Sequence, residues 1–238
     1  MTAAQPPALG ILMLDTRFPR VPGDVGNPST WPFPVCYAVV RDASPERVVR
    51  GHARGLVDTF AAAGRTLAAE GAAGIITTCG FLALHQRQLA QALPVPFASS
   101  SLMQLPLLAR TLPAGKRPGV ITIDAASLTG RHFTAVGADP KTPVAGVDPA
   151  GAFARAILGD LPSLDTVAAE REILAAGERL VAEHPDVAAV VLECTNMPPY
   201  ASRLRKRLGL PVHDMVSFGC WFYAGLRSPT FEPEGDPD

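Results

Sequence analysis

Two cysteines stand at addresses where chemistry is possible. Cys79 follows the apolar, β-branched run in IITTCGF, and Cys194 follows the one in VVLECTN. A residue at the carboxyl end of a buried parallel strand lies where α/β sheets bind their ligands. If a helix starts just after it, unpaired N–H groups and the positive end of the helix dipole favour thiolate over thiol. A free cysteine has a pKa of about 8.5, so only a few per cent is thiolate near neutrality. Lowering that pKa by one unit takes about 1.4 kcal/mol, and a helix N-terminus supplies part of it. Two such thiols facing one cleft suit proton transfer at carbon. One sulfur removes a proton from the carbon next to a carboxylate, and the other delivers a proton to the opposite face. The amides after each cysteine, with the hydroxyls of Thr78 and Thr195, would hold the carboxylate. Gly80, lacking a Cβ, lets the backbone approach an anion closely.

The elements that must carry these thiols repeat. Residues 62–70 read AAGRTLAAE and residues 175–183 read AAGERLVAE, with six of nine positions identical. Each nonamer precedes an apolar strand and then a cysteine. Leu89, Leu93 and Pro96 follow Cys79 at 10, 14 and 17 residues, and Leu204, Leu208 and Pro211 follow Cys194 at the same distances. A thiol at one structural address in both halves predicts two related lobes. Strands are predicted at 9–14, 35–40, 74–78, 119–123, 188–192 and 212–216. Helices are predicted at 45–70, 80–92, 125–136, 164–183 and 199–208. Their alternation, with strands apolar on both faces, predicts an α/β fold with parallel sheets. Lobe one is expected to take residues 1–100 and 213–238, and lobe two residues 101–212. Residues 18–34, with five prolines and no periodicity, read as one long loop, a length that is often functional. The tail after Ser228 reads as frayed.

Composition excludes several classes. Lys plus Arg number 21 and Asp plus Glu 22, a net charge of −1, with no basic face to neutralise phosphates. Nucleic-acid and polybasic membrane partners are therefore not expected. The four cysteines form no CxxC pair and are too sparse for a disulfide scaffold. No apolar run has the length of a membrane span, and the opening residues MTAAQPPALGILMLD lack a basic leader region. A cytoplasmic, reducing setting is expected. The histidines His52, His85, His132, His184 and His213 show no metal-ligand spacing, and no lysine sits in a Schiff-base setting. Neither a metal nor another cofactor is expected.

These residues resemble the aspartate/glutamate racemase superfamily, which includes hydantoin racemases, maleate isomerase and arylmalonate decarboxylase. Cys194-Thr195-Asn196-Met197-Pro198 is similar to the Cys-Thr-His-Tyr-Pro stretch of glutamate racemases. Cys79-Gly80-Phe81 stands where the family has Cys-Asn-Thr, and Asp15-Thr16-Arg17 where it has Asp-Ser-Gly. The resemblance runs over residues 8–226. It implies two pseudo-symmetric flavodoxin-like lobes with the active-site cleft between them, a homodimer, and a small carboxylate substrate. It also implies that Cys79 and Cys194 are the catalytic pair of a cofactor-independent racemase or epimerase. The residues expected to contact substrate are Asp15, Thr16, Asn27, Thr78, Gly80, Phe81, Thr195 and Asn196. Asn196 stands where the family's histidine assists proton transfer, and Phe81 and Trp31 hint at a bulkier or less polar ligand than glutamate.

Other readings stay open at this stage. Asp15 either assists a base or caps the next turn. Thr195 and Asn196 bind ligand or cap the following helix. Ser99, Ser100 and Ser101 line the cleft or form a turn. Cys36 and Cys220 read as core. The same scaffold also accommodates a cis–trans isomerase, a decarboxylase needing one thiol, or a binding protein with a racemase-like cleft.

Overall fold

The structure, a computed structural model, describes residues 7–227. The predicted tail after Ser228 lies outside the described residues. Two four-stranded sheets, parallel throughout, organise the chain. The first holds β1 (Ala8–Leu14), β2 (Val35–Val40), β3 (Ala72–Thr77) and β4 (Phe97–Ala98), in the order β2-β1-β3-β4. The second holds β5 (Arg117–Thr122), β6 (Val144–Gly146), β7 (Val187–Leu192) and β8 (Val212–His213), in the order β6-β5-β7-β8. This is the parallel α/β architecture that the strand pattern predicts, arranged as the two flavodoxin-like lobes that the resemblance implies.

The repeat is metrical as well as verbal. Ile75 pairs with Phe97 in the first sheet and Val190 with Val212 in the second, each partner 115 residues on. The Thr78 N–H donates to the Leu12 carbonyl, and the Glu193 N–H to the Ile121 carbonyl. The repeated nonamers lie in α1 (Val57–Ala69) and α6 (Thr166–Glu183). Their shared glycines, Gly64 and Gly177, are points of close approach: a Cβ would come within 2.5 Å of Leu93 and 2.6 Å of Leu204 respectively.

Several elements are shorter than the sequence suggests, each for a local reason. The predicted helix 45–70 breaks after a wide turn at Glu46–Arg50, where His52 and Ala53 take positive φ of 53° and 51°, and α1 starts afresh at Val57. The predicted helix 80–92 opens as a 3-10 turn, Gly80–His85, before α2 (Gln86–Ala92). The short α3 (Leu105–Thr111) follows a second 3-10 turn. Helix 125–136 shrinks to α4 (Gly130–Ala135), because the Asp124 carboxylate accepts the Ser127 N–H in a turn and Thr129 caps the helix. The short α5 (Ala152–Leu158) precedes α6. Pro198–Tyr200 forms a 3-10 turn ahead of α7 (Ala201–Leu208). Strand 212–216 stops at His213. Asp214 and Ser217 form a reciprocal cap there and start α8 (Met215–Leu226).

One apolar core runs through both lobes and contains both Cys79 and Cys194. A second, formed by Leu9, Ile11, Trp31, Met215 and Phe218, seats α8 against the first sheet. Among the described residues no helix is long and apolar enough to cross a membrane.

Candidate active site

Each cysteine sits two residues beyond the end of a central strand, Cys79 after β3 and Cys194 after β7. Both are free thiols, each only 6% exposed. Both lie in the wall of a single cavity between the lobes, with Leu14 and Phe18 on one side and Ile123 and Ile157 on the other. The cavity volume is about 20 Å³, room for about one water, so a substrate enters only when the walls give.

The two cysteine segments are tied directly to one another. The Thr195 hydroxyl donates to the Thr78 carbonyl at 2.6 Å. The Thr78 hydroxyl in turn accepts the Leu14 N–H at 3.1 Å. Gly80 is required by close approach, since a Cβ there would lie 2.3 Å from both the carbonyl and the Oε1 of Glu193. The long loop of residues 18–34 closes over the second thiol. Its Val25 N–H reaches the Thr195 carbonyl at 3.4 Å. Its Asp24, only 2% exposed, accepts from Asn196 Nδ2 at 2.5 Å and pairs with Arg20 at 3.1 Å. Held in this way, Asn196 turns its Oδ1 to accept from the Cys194 Sγ at 3.5 Å. The Asp24–Asn196–Cys194 chain occupies the place where the family histidine is expected.

Burial outweighs the helix ends at both sulfurs. Desolvation and then Glu193 push the Cys79 thiol up to about 12, although the Phe81 and Leu82 amides and Arg20 pull it down. Desolvation and Glu193 also hold Cys194 well above the ordinary thiol range, against a single amide, that of Asn196. Amides face both sulfurs, but burial outweighs them and keeps the thiols protonated. Glu193 itself is pushed up to about 8, chiefly by burial, with Asp124 adding to it and a bond from Thr122 opposing it.

Thr78, Gly80, Phe81, Thr195 and Asn196 are all in the cavity wall. Asp15, Thr16 and Asn27 lie outside that wall, as does Trp31, which packs in the second core. Asp15 is exposed, Thr16 accepts from Arg20 at 3.0 Å, and Asn27 caps the turn at Pro28–Thr30. Ser100 caps a 3-10 turn and the Ser101 hydroxyl donates to the Leu192 carbonyl, so these two serve the architecture, whereas the Ser99 hydroxyl is buried without a partner. Cys36 and Cys220 are half-buried rather than fully in the core. Sequence reasoning missed Glu193 and Asp24. The visible signal for Glu193 was an acid closing an otherwise apolar strand. Among the described residues no cluster of three or more His, Cys, Asp or Glu side chains is placed to hold a metal ion.

No protein-family model matches the chain. It is similar to a dimethylsulfoniopropionate lyase from Durusdinium sp. clade D, 28% identical over 233 residues, which cover 94% of this chain and 77% of that protein. It is also similar to dimethylsulfoniopropionate lyase 5 of Emiliania huxleyi (strain CCMP1516), 30% identical over 237 residues and 94% of this chain; the chain spans about half that relative, 47% of its length. Among solved structures it is similar to unliganded arylmalonate decarboxylase, with a TM-score of 0.57 at 15% identity over 97% of both chains. A glutamate racemase isoform from Bacillus anthracis gives a TM-score of 0.56 at 13% identity over 93% of this chain and 83% of that one.

Proposed function

We propose that this chain, which has the two-lobed fold of the aspartate/glutamate racemase superfamily, is a cofactor-independent enzyme that removes a proton α to a carboxylate. We further propose that its turnover is β-elimination of dimethyl sulfide from dimethylsulfoniopropionate. The observation that carries the reading is the sharing of one small, mostly apolar cavity by Cys79 and Cys194. The names of the sequence relatives supply the substrate.

The chemistry suits the cavity. A thiolate takes the proton from the carbon next to the carboxylate. The electron pair left behind forms the carbon–carbon double bond, the carbon–sulfur bond breaks, and its electrons leave on neutral dimethyl sulfide. Acrylate remains, and the thiol later returns its proton to solvent. Thiolate and sulfonium charges are both extinguished on the way, so walls such as Phe18, Phe81 and Ile157 favour the transition state over the charged ground state. The sulfonium also favours the thiolate on entry, which offsets part of the burial cost.

A second reading, favoured by the matched pair of thiols, is racemisation or epimerisation with Cys79 and Cys194 exchanging roles as base and acid. Incubation in deuterated water separates the two. The lyase reading expects acrylate and dimethyl sulfide in equal amounts. Amino acids or hydantoins inverted with deuterium at the inverted centre, and no acrylate, would establish the racemase instead. Neither product, with thermal stabilisation by small acids, would mark a binding protein.

A further inference from the structure

Glu193 is the acid that neither thiol chemistry nor the family motifs account for. Its side chain is fully buried, at 0% exposure, in the wall of the cavity that holds both thiols. Its Oε2 accepts from the Thr122 hydroxyl at 2.8 Å. Its Oε1 is buried and has no partner. That free oxygen lies against the bare Cα of Gly80, where a Cβ would stand only 2.3 Å away. Gly80 is the residue between Cys79 and the Phe81 and Leu82 amides that face its sulfur.

The repeat sharpens the anomaly. At the equivalent register position the first lobe has Thr78, whose short side chain is satisfied by the Leu14 N–H. The second lobe carries a longer side chain that extends beyond its own sheet to the other lobe's cysteine turn. An unpartnered buried acceptor costs roughly 1–3 kcal/mol, so its retention calls for a ligand.

The charges around it decide which ligand. Cys79 and Cys194 face it as neutral thiols. Asp124, beyond the end of β5, is a like charge, and Arg50 is engaged by Asp124 at 3.5 Å and by Glu46. Arg20 is paired to Asp24. None of the ion pairs among the described residues includes Glu193. An ionised carboxylate here would be buried without a counter-charge. With Thr122 donating to Oε2, the proton belongs on Oε1, the oxygen without a partner.

We propose that Glu193 acts in its protonated form as a hydrogen-bond donor, its Oε1–H receiving the substrate carboxylate and the charge that develops on it as the α-proton leaves. The proposal rests on the α-carboxylate reading above and adds to it the group that stabilises the enediolate. Burial near Asp124, which moves this carboxyl up to about 8, keeps the donor in place at neutral pH. An ionised Glu193 would also oppose thiolate formation at both cysteines.

The test compares wild type with Glu193→Gln, which keeps a donor without charge, and Glu193→Leu, which keeps bulk without a donor. With dimethylsulfoniopropionate, Glu193→Leu should lose about 10²-fold in kcat, the cost of removing one oxyanion donor, and Glu193→Gln should recover most of that loss. Wild-type turnover should fall as pH rises through about 8, and Glu193→Gln should lack that limb. A Gln variant as poor as Leu, or one whose KM rises steeply, would overturn the proposal in favour of a carboxylate holding the sulfonium. A Leu variant with full turnover would overturn it outright.

If wild type does not turn over dimethylsulfoniopropionate, the lyase reading fails while this one is still decided. Propionate should then protect the two thiols from iodoacetamide in wild type and Glu193→Gln, and about tenfold less well in Glu193→Leu. Equal protection in all three would overturn the donor role. Near-ultraviolet circular dichroism of each variant identifies any loss that comes from misfolding, and Glu193→Gln, nearly isosteric, decides the matter if the Leu variant does not fold.

Discussion

The two cysteine turns are built on one plan and furnished differently. Both sulfurs stand beyond a central strand, and both are raised by burial first and Glu193 second. Cys79 has two amides and the positive charge of Arg20 on its side. Cys194 has one amide, and Cys79 and Asp24 both act against its ionisation. Its thiol is committed as a donor to Asn196. The difference teaches a division of labour: the first lobe holds the sulfur that ionises more readily, and the second holds its sulfur protonated. An inverting enzyme needs the two to trade roles, whereas an eliminating enzyme needs only the first as base.

The largest effects bear directly on that asymmetry. Cys79→Ser should lower elimination by about 10³-fold or more, the scale of a lost general base. Cys194→Ser should cost about tenfold, because a hydroxyl still donates to Asn196. Acrylate release by both variants measures this. Equal losses would erase the asymmetry and favour two-base inversion.

A smaller effect should follow from cutting the support of the second turn. Asp24 fixes Asn196 and carries Arg20, both nearly enclosed. In Asp24→Ala the Arg20 guanidinium loses its partner, and removing one member of a buried pair costs about 3–5 kcal/mol. Asn196 no longer fixes the Cys194 thiol. Iodoacetamide mapped by mass spectrometry should find Cys194 labelled several-fold faster, with a lesser change at Cys79. Asp24→Asn, which keeps an acceptor, should fall between the two. Faster labelling of Cys79 alone would show that the loop serves the first lobe.

How much of this was legible in the residues varies with the range of the interaction. The paired nonamers and the constant spacing beyond each cysteine specify two equivalent lobes: Gly64 admits Leu93 and Gly177 admits its counterpart Leu208, with Leu204 still nearer. The cavity wall at Thr78, Gly80, Phe81, Thr195 and Asn196 was readable as well, since those side chains are neighbours of the sulfurs in sequence. Contacts made across the lobes were not. Asp24 lay in a proline-rich loop without periodicity, and only its closure over Asn196 gives it meaning. Asp15 and Thr16 were expected from a motif and Asn27 from the long loop, yet the backbone there turns them to solvent, to Arg20 and to a helix cap. Glu193 lies just past the end of the predicted strand 188–192, and the close approach that requires Gly80 appears only once that carboxyl is seen against it.

The smallest effect is on stability, and it isolates the position where the lobes differ most, Thr78 against Glu193. Folding raises the Glu193 carboxyl from an ordinary value of 4.5 to about 8, chiefly by burial. Between those values the native protein holds a proton that the unfolded chain releases. Stability linked to this group is therefore fully present below about 4.5 and is lost as pH rises through about 8. The shift corresponds to a contribution on the order of a few kcal/mol. At this chain length 1 kcal/mol moves Tm by roughly 2–4 °C. Wild type should therefore lose Tm relative to Glu193→Gln by several degrees between mildly acid and mildly alkaline pH. Taking the difference between the two proteins cancels the other titrating groups, including the salt-bridged Asp160, whose lowered carboxyl works in the opposite direction. Parallel Tm curves for the two proteins would mean that Glu193 is ionised in the fold as it is out of it, and the second lobe would then hold a fixed charge where the first holds a hydroxyl.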